Sequence, residues 1–420
     1  MQQSHMALPL AQDYTTILRV PESEQEGAYY MIIDPAFIML PDGKYLTTVP
    51  VYYKQTIPHK RREPYQLHIL LSEDKGSTWH TVNDNLPYTD NIPFYFEGRL
   101  YLFFMAVPYR EADHQKMDAH TDLEATLATD DRVDLYKGLR YVGIHAIASD
   151  DHGKTWTEPV EVIKGTHKYS TCQMPMVVKD GTLYWAISEG PFRKMAVASC
   201  NLQEGVLNPA AWRITEGAEM VIPKELNPGL FPGPSMHCLE GNVVEVGGRL
   251  RVLARAVIDR QGTANIAAAF DIALHAEGAS ISFTQFVSLP GGQCKFYIVY
   301  DDISKLYWMA SNVPSNSQNL IEISSKLEET AYQGTVGNDR RYMMLWYACD
   351  ALNWFPAGCI AKAEKLTQSF MYPSVVIDGD DLVITSRTSH HAVDQHDADL
   401  VTLHRVRDFR ALAMDIWPVV

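Results

Sequence analysis

The stretch from Glu240 to Arg255, EGNVVEVGGRLRVLAR, sets short β-branched and aliphatic runs on either side of a Gly-Gly break. Val243, Val244 and Val246 lead into Gly247 and Gly248, and Leu250, Val252 and Leu253 lead out, which predicts two strands joined by a tight turn. Such a hairpin brings Glu240 and Arg255 to the same end. A turn followed by an aromatic or aliphatic run returns as DGKYLTTVP from Asp42, EGRLYLFFMAV from Glu97, DGTLYWAISEG from Asp180, SKLYWMASN from Ser304 and DGDDLVITSRT from Asp378. With Gly247 these make six units, spaced by roughly 55 to 80 residues, the length of a four-stranded blade plus a variable loop. Helical periodicity is scarce. The expectation is an all-β chain folded as one six-bladed β-propeller over residues 1–420.

Two features modify that rhythm. The segment from about 108 to 140 is acidic, polar and helix-prone, and is expected to be an insertion, either a lid over the propeller mouth or a solvated loop. The closing segment from Asp399 to Val420 is expected to return and close the ring.

Ser72 to Trp79, SEDKGSTW, and Ser149 to Trp156, SDDHGKTW, both obey S-x-D-x-G-x-T-W. Asp74 and Asp151 can accept backbone N–H bonds across the turn, Gly76 and Gly153 supply a positive φ, and Trp79 and Trp156 fill the gap between strands. These segments resemble the Asp-boxes, or BNR repeats, of the sialidase superfamily of β-propellers, and CDALNW from Cys349 to Trp354 resembles a degenerate third copy. The resemblance implies that Asp74 and Asp151 are structural and stand far from the active site.

In a propeller the innermost strands all start at one mouth of the central channel, so residues in equal register converge there. Counting back eight or nine residues from each turn gives Asp34, Asp90 or Asn91, Gln173, Glu240, Lys295 and Tyr372. The following strands end on the same face, with Lys54, Arg110, Glu189, Arg193, Arg255, Asn312, Arg387 and His390. Carboxylates for acid or base work, a tyrosine and cations that hold a substrate acid suit glycosidic bond chemistry. Each has a plainer reading: a strand-end salt bridge for Glu240 with Arg255, an Asp-Pro turn starter for Asp34, channel packing for Tyr372.

The sialidase resemblance extends to this set. Glu240 with Arg255 resembles the family's glutamate and second carboxylate-binding arginine, and Tyr372 stands where the family's tyrosine nucleophile begins an inner strand. Where the family has Arg-Ile-Pro, this chain has Ile33-Asp34-Pro35, and no Asp lies between Gly43 and Glu73 to match the family's acid/base aspartate. A three-arginine clamp is therefore not expected. Asp34-Pro35 also resembles the Asp-Pro of five-bladed furanosidase-type propellers, in which the aspartate is a general base. The working assignment takes Asp34, Glu240 and Tyr372 as catalytic, and Arg255, Lys295, Arg387, Gln173, Asn91, Glu189 and His390 as substrate-binding.

Charge narrows the partners. With Lys and Arg numbering 36 against 51 Asp and Glu, the net charge is -15, which disfavours nucleic acid or an anionic membrane as partner. The six cysteines lack paired CxxC spacing and are expected to be mostly buried thiols. No apolar run is long enough to cross a membrane, and the start shows no export signal, so the compartment stays open. The tail from Ser386 to Leu400 crowds His390, His391 and His396 with Asp394, Asp397 and Asp399, but its spacing matches no standard metal site. Neither metal nor other cofactor is expected. The reading is a glycoside hydrolase that releases a terminal sugar from an oligosaccharide. The alternatives are a lyase on uronate-containing glycans, with His390 or His391 as base, or a glycan-binding propeller without turnover.

Overall fold

Runs of Val, Ile, Leu and aromatic residues separated by tight turns pair antiparallel with their chain neighbours and form six sheets. The computed structural model describes residues 8–22, 27–55, 62–108, 133–134, 139–190, 192–221, 234–259, 265–276, 278–315, 339–392 and 394–414. The body of the insertion expected at 108–140 lies outside them, as does Arg110.

Each sheet is one blade, with strands running from the channel outward in chain order. Blade 1 holds an interrupted inner strand, Ala28–Ile32 with Ala36–Met39, then Tyr45–Gln55, Arg62–Ser72 and His80–Leu86. Blade 2 holds Thr89–Phe96, Arg99–Pro108, Leu139–Ser149 and Val160–Lys164. In blade 3 the inner strand is again split, Tyr169–Ser170 with Val177–Lys179, before Thr182–Glu189, Lys194–Asn201 and Trp212–Ile214. Blade 4 comprises Pro234–Val246, Arg249–Asp259, Ile266–His275 and Gly278–Ser288, and blade 5 Tyr297–Asp301, Leu306–Asn312, Tyr342–Ala348 and Phe355–Lys362. Blade 6 is made of Ser369–Asp378, Asp381–Ser389 and Leu400–Val406, and its outermost strand is Thr15–Arg19 from the other end of the chain.

Ring closure therefore uses both chain ends, whereas the sequence pointed only to the C-terminal one. Leu10 and Ala11 N–H groups also bond to the carbonyls of Cys359 and Ile360, so the N-terminal segment straps blade 5 as well as blade 6.

The core lies between blades. Ile92, Phe103, Trp185 and Trp212 fill the space between blades 2 and 3, and Trp308, Tyr347, Phe370 and Phe409 the space between blades 5 and 6. The three Asp turns hold blade edges. Thr78 donates to Asp74 through its backbone N–H at 2.8 Å and its hydroxyl at 2.6 Å, and Thr155 does the same to Asp151 at 2.9 and 2.7 Å. In the third copy Asn353 replaces the threonine, donating to Asp350 at 2.8 and 2.6 Å. Gly76 and Gly153 have φ of 89° and 88°, the left-handed turn geometry expected of them. Cys172, Cys200, Cys238 and Cys294 are buried, as expected for most of the cysteines; Cys349 is exposed.

Candidate active site

Four of the inner strands bend at the predicted register. Asp34, Asp90, Glu240 and Tyr372 have φ of 45°, 50°, 53° and 51°, left-handed values that cost a non-glycine residue on the order of 1–2 kcal/mol. In blades 1, 4 and 6 the pairing slips by one residue across this point, between Ile32 and Ala36, Leu239 and Asn242, and Met371 and Ser374. Each slip is a β-bulge, which turns a side chain away from the alternation of its strand. Asp34 and Tyr372 precede prolines and Glu240 precedes Gly241, so the same local chemistry ends the first half of each strand.

The bulges bring three predicted catalytic residues into one cluster. Arg255 Nη1 lies 3.2 Å from both Glu240 oxygens, and its Nε donates to the Gln293 carbonyl at 2.6 Å. Both partners of this pair are buried. Arg387, which is 1% exposed, lies with Nη1 3.5 Å from Asp34 Oδ1 and with Cζ 5.0 Å from the Tyr372 ring centroid. Asp34 is more open than Glu240, Arg255 and Arg387, its side chain 23% exposed. Lys295 Nζ donates to the Pro373 carbonyl at 2.7 Å, which ties blade 5 to the bulge beside Tyr372.

Electrostatics follow from this packing. Burial, reinforced by Glu240 and Asp34, pushes the Tyr372 phenol well above its usual range, and Arg255 and Arg340 only partly oppose it. Burial lowers Lys295 against the pull of Cys172, Glu240 and Asp34. For Arg255 burial works downward, but Glu240 and Tyr372 outweigh it and the guanidinium is held above its usual value. Burial shifts Arg387 downward despite Asp34 and Tyr372, yet a guanidinium keeps its charge at any ordinary pH.

The remaining predicted residues have other neighbours. Gln173 uses both ends of its amide on Phe37, accepting from its N–H and donating to its carbonyl, so it joins blade 3 to blade 1. Asn91 accepts from the Thr48 hydroxyl at 2.5 Å; the bent position of blade 2 belongs to its neighbour Asp90, which accepts from Ser170 at 2.7 Å. Glu189 lies 3.8 Å from His167 Nε2 at the edge of blade 3. His390 stacks edge-on against His391 with centroids 4.2 Å apart, and its backbone N–H is held by Asp399 at 2.7 Å. Its charged neighbours are His391, Asp399, Arg19 and Lys365, none of them in the cluster. Among the described residues no group of three or more His, Cys, Asp or Glu could hold a metal ion.

No protein-family profile matches the chain, and no curated protein is significantly similar to it in sequence. Solved structures are similar. A protein of unknown function from Dyadobacter fermentans superposes with a TM-score of 0.56 at 10% identity, covering 94% of this chain and 99% of that one. A mutant of Trypanosoma rangeli sialidase displaying trans-sialidase activity gives 0.55 at 14%, covering 95% of this chain and 59% of the sialidase. An α-L-arabinofuranosidase from Fusarium graminearum gives 0.52 at 11%, covering 95% and 98%. The fold is that of the sialidase-like β-propellers. At these identities the likeness concerns architecture, and the chain spans little more than half of the trypanosomal enzyme.

Two further residues at this cluster were not among those assigned to the site from the sequence. Arg340, in the segment NDRRYMM before the third strand of blade 5, is buried with Cζ 5.5 Å from the Tyr372 centroid. With Arg255 and Arg387 it makes three guanidiniums around one tyrosine. It lies outside the blade repeat, so no register could have found it. The second is His396, 3.3 Å from Arg387 Nη2 through its Nδ1.

Proposed function

We propose that this chain is a glycoside hydrolase that releases a terminal sugar bearing an acid group, acting at the mouth of the channel around Asp34, Glu240 and Tyr372. The observation that carries the reading is the common left-handed bend of these three residues, which aligns two carboxylates and a phenol with Arg255, Arg340 and Arg387. The cations attract a carboxylate, and Arg387 Nε is a buried donor without a partner among the described residues. The carboxylates of Asp34 and Glu240 stabilise positive charge growing at the anomeric carbon. The Tyr372 phenol, held above its usual range, keeps its proton at neutral pH and delivers it to the leaving oxygen. Two of the similar structures are of glycosidases, one a sialidase solved with sialic acid and the other an α-L-arabinofuranosidase.

The test is a panel of aryl glycosides and oligosaccharides carrying sialic acid, uronic acids and neutral pentoses and hexoses, read for released sugar and for ultraviolet absorbance. Hydrolysis of an acidic sugar, lost on Asp34→Asn, Glu240→Gln or Tyr372→Phe in folded protein, supports the reading. A uronate would also suit three guanidiniums beside a phenol; absorbance from a new double bond would then replace hydrolysis with elimination. Saturable binding without turnover would make the chain a glycan-binding propeller.

A further inference from the structure

The loop from Asp394 to Asp399 is built with more hydrogen bonds than a rim loop requires. Asp394 Oδ1 accepts the backbone N–H groups of His396 and Asp397, both at 2.7 Å, and its carbonyl accepts the Ser389 hydroxyl at 2.6 Å. Gln395 is buried; its side chain accepts the Arg340 N–H at 2.8 Å and donates to the Leu366 carbonyl at 2.7 Å. The Ala398 carbonyl accepts the Ile32 N–H at 2.9 Å, so the loop is also bonded to the inner strand of blade 1. Fastened at both ends, this loop holds one imidazole against the cluster.

That imidazole is His396. Its Nδ1 lies 3.1 Å from Asp397 Oδ1, and Asp397, 2% exposed, is held from its other oxygen by Lys54 at 2.5 Å and by the Tyr29 hydroxyl. Two groups meet Nδ1: Asp397, which only accepts, at 3.1 Å, and Arg387 Nη2, which only donates, at 3.3 Å. Asp397 is nearer and Arg387 Nη2 already donates to the His396 carbonyl, so the geometry favours the proton of the neutral ring on Nδ1 and the lone pair on Nε2. The Nδ1 edge is thus occupied, while the His396 side chain remains 36% exposed.

We propose that His396, oriented by Asp397, is the proton acceptor of this site, a general base that works with Tyr372 as proton donor. The proposal rests on the glycosidase reading above. In the step it assigns, Nε2 takes a proton from water as the water oxygen bonds to the anomeric carbon. The bond from that carbon to the leaving oxygen breaks, its electron pair stays on the oxygen, and the oxygen takes the Tyr372 proton. Proton exchange with solvent then returns His396 and Tyr372 to their starting states.

The charged groups around the ring fit a base more than an acid. From its own loop Asp394 and Asp397 face it, from blade 6 Arg387, from the segment before the third strand of blade 5 Arg340. From blade 1 come Lys54 and Tyr29 through Asp397, and Asp34 through Arg387. Burial, with Arg387 and Arg340, holds the imidazole well below its ordinary value, and Asp397 only partly offsets this, so the ring is neutral at pH 7. The plainer role is a network that fastens blade 6 to blade 1.

The experiment uses the full chain and the best substrate of the panel. His396→Gln is expected to lower kcat at least 100-fold with KM changed less than threefold, a loss in the range assigned to general bases. His396→Gly is expected to regain activity when free imidazole is added, which a purely structural role would not allow. In ¹⁵N-histidine spectra compared between wild type and His396→Gln, the His396 signals should report a protonated Nδ1 and an unprotonated Nε2 at pH 7. A His396→Gln enzyme with more than a third of the wild-type kcat overturns the proposal and leaves the glycosidase reading standing. A protonated Nε2 overturns it without any substrate. Wild-type protein that turns over nothing in the panel sinks the glycosidase reading and this proposal with it.

Discussion

Arg387 touches Tyr372 and Asp34 at once: its guanidinium lies over the tyrosine ring while Nη1 reaches the aspartate at 3.5 Å. Tyr372 lies in the inner strand of blade 6 and Asp34 at the break in that of blade 1, the blades where the ring closes, so one side chain links site to closure. Arg387→Met removes a charged hydrogen-bond donor worth about 1.5–3 kcal/mol, which corresponds to a loss of about 10- to 150-fold in kcat/KM. Arg387→Lys keeps the charge without the planar fork and should recover only part of it. Steady-state kinetics on the substrate found above decide this; unchanged kinetics in Arg387→Met would remove Arg387 from the site.

The buried pair of Glu240 and Arg255 should behave unequally in single and double substitution. Arg255→Met leaves Glu240 as a buried carboxylate without its cation and is expected to cost about 3–5 kcal/mol of stability. Combining it with Glu240→Gln removes both charges and should restore much of that loss, while activity stays abolished. Denaturant unfolding of the four proteins gives the coupling energy. Additive losses would mean that the two side chains do not sense each other in the folded protein.

At the Asp turns the expected effect falls on stability and not on turnover. Asp151→Ala deletes acceptors for Ser149, for the Thr155 N–H and for the Thr155 hydroxyl, a loss of about 1–2 kcal/mol at an edge open to water. These bonds lower the Asp151 carboxyl to about 2 against the burial that raises it. A depressed carboxyl stabilises the fold above its unfolded value near 4 and ceases to do so as pH falls toward 2. Calorimetry should therefore show Asp151→Ala and wild type differing at pH 7 and converging near pH 2, with kcat unchanged at neutral pH. A large drop in kcat in folded protein would contradict the structural role.

The fold was legible because it repeats. Turn-strand units and two S-x-D-x-G-x-T-W hairpins carry their own local physics, and six copies average out the ambiguity of any one. The same register picked out Asp34, Glu240 and Tyr372, which share one left-handed bend, since a bulge in an inner strand is tied to blade position. It also brought out Gln173, whose amide is spent on the Phe37 backbone, and offered Asp90 or Asn91 where the bend belongs to Asp90. Arg340 and His396 were out of reach for another reason. They sit in segments between strands, where no periodicity constrains the chain, and only the three-dimensional path brings them to Tyr372.

His404 ties stability to pH at the ring closure. It is fully buried in the third strand of blade 6, its Nδ1 donating to the Ala11 carbonyl at 2.7 Å and its Nε2 lying 3.0 Å from the Thr402 hydroxyl. Tyr14 and Phe370 pack against the ring, with centroids 5.5 and 5.2 Å away. Burial lowers the imidazole to about 4, against the opposing effect of Ala11. The unfolded chain therefore takes up a proton below about pH 6.5 that the folded protein refuses until about pH 4. Stability is fully present above pH 6.5 and declines across that window by up to about 3 kcal/mol from this group alone. His404→Gln retains a donor for Ala11 but cannot titrate, so it is expected to be less stable than wild type at pH 7.5 and to lose less on acidification. Denaturant midpoints of both proteins between pH 7.5 and 4 measure the difference. Parallel curves would show that His404 titrates alike in the folded and unfolded chain, and the strap from Ala11 to blade 6 would then carry no acid sensitivity.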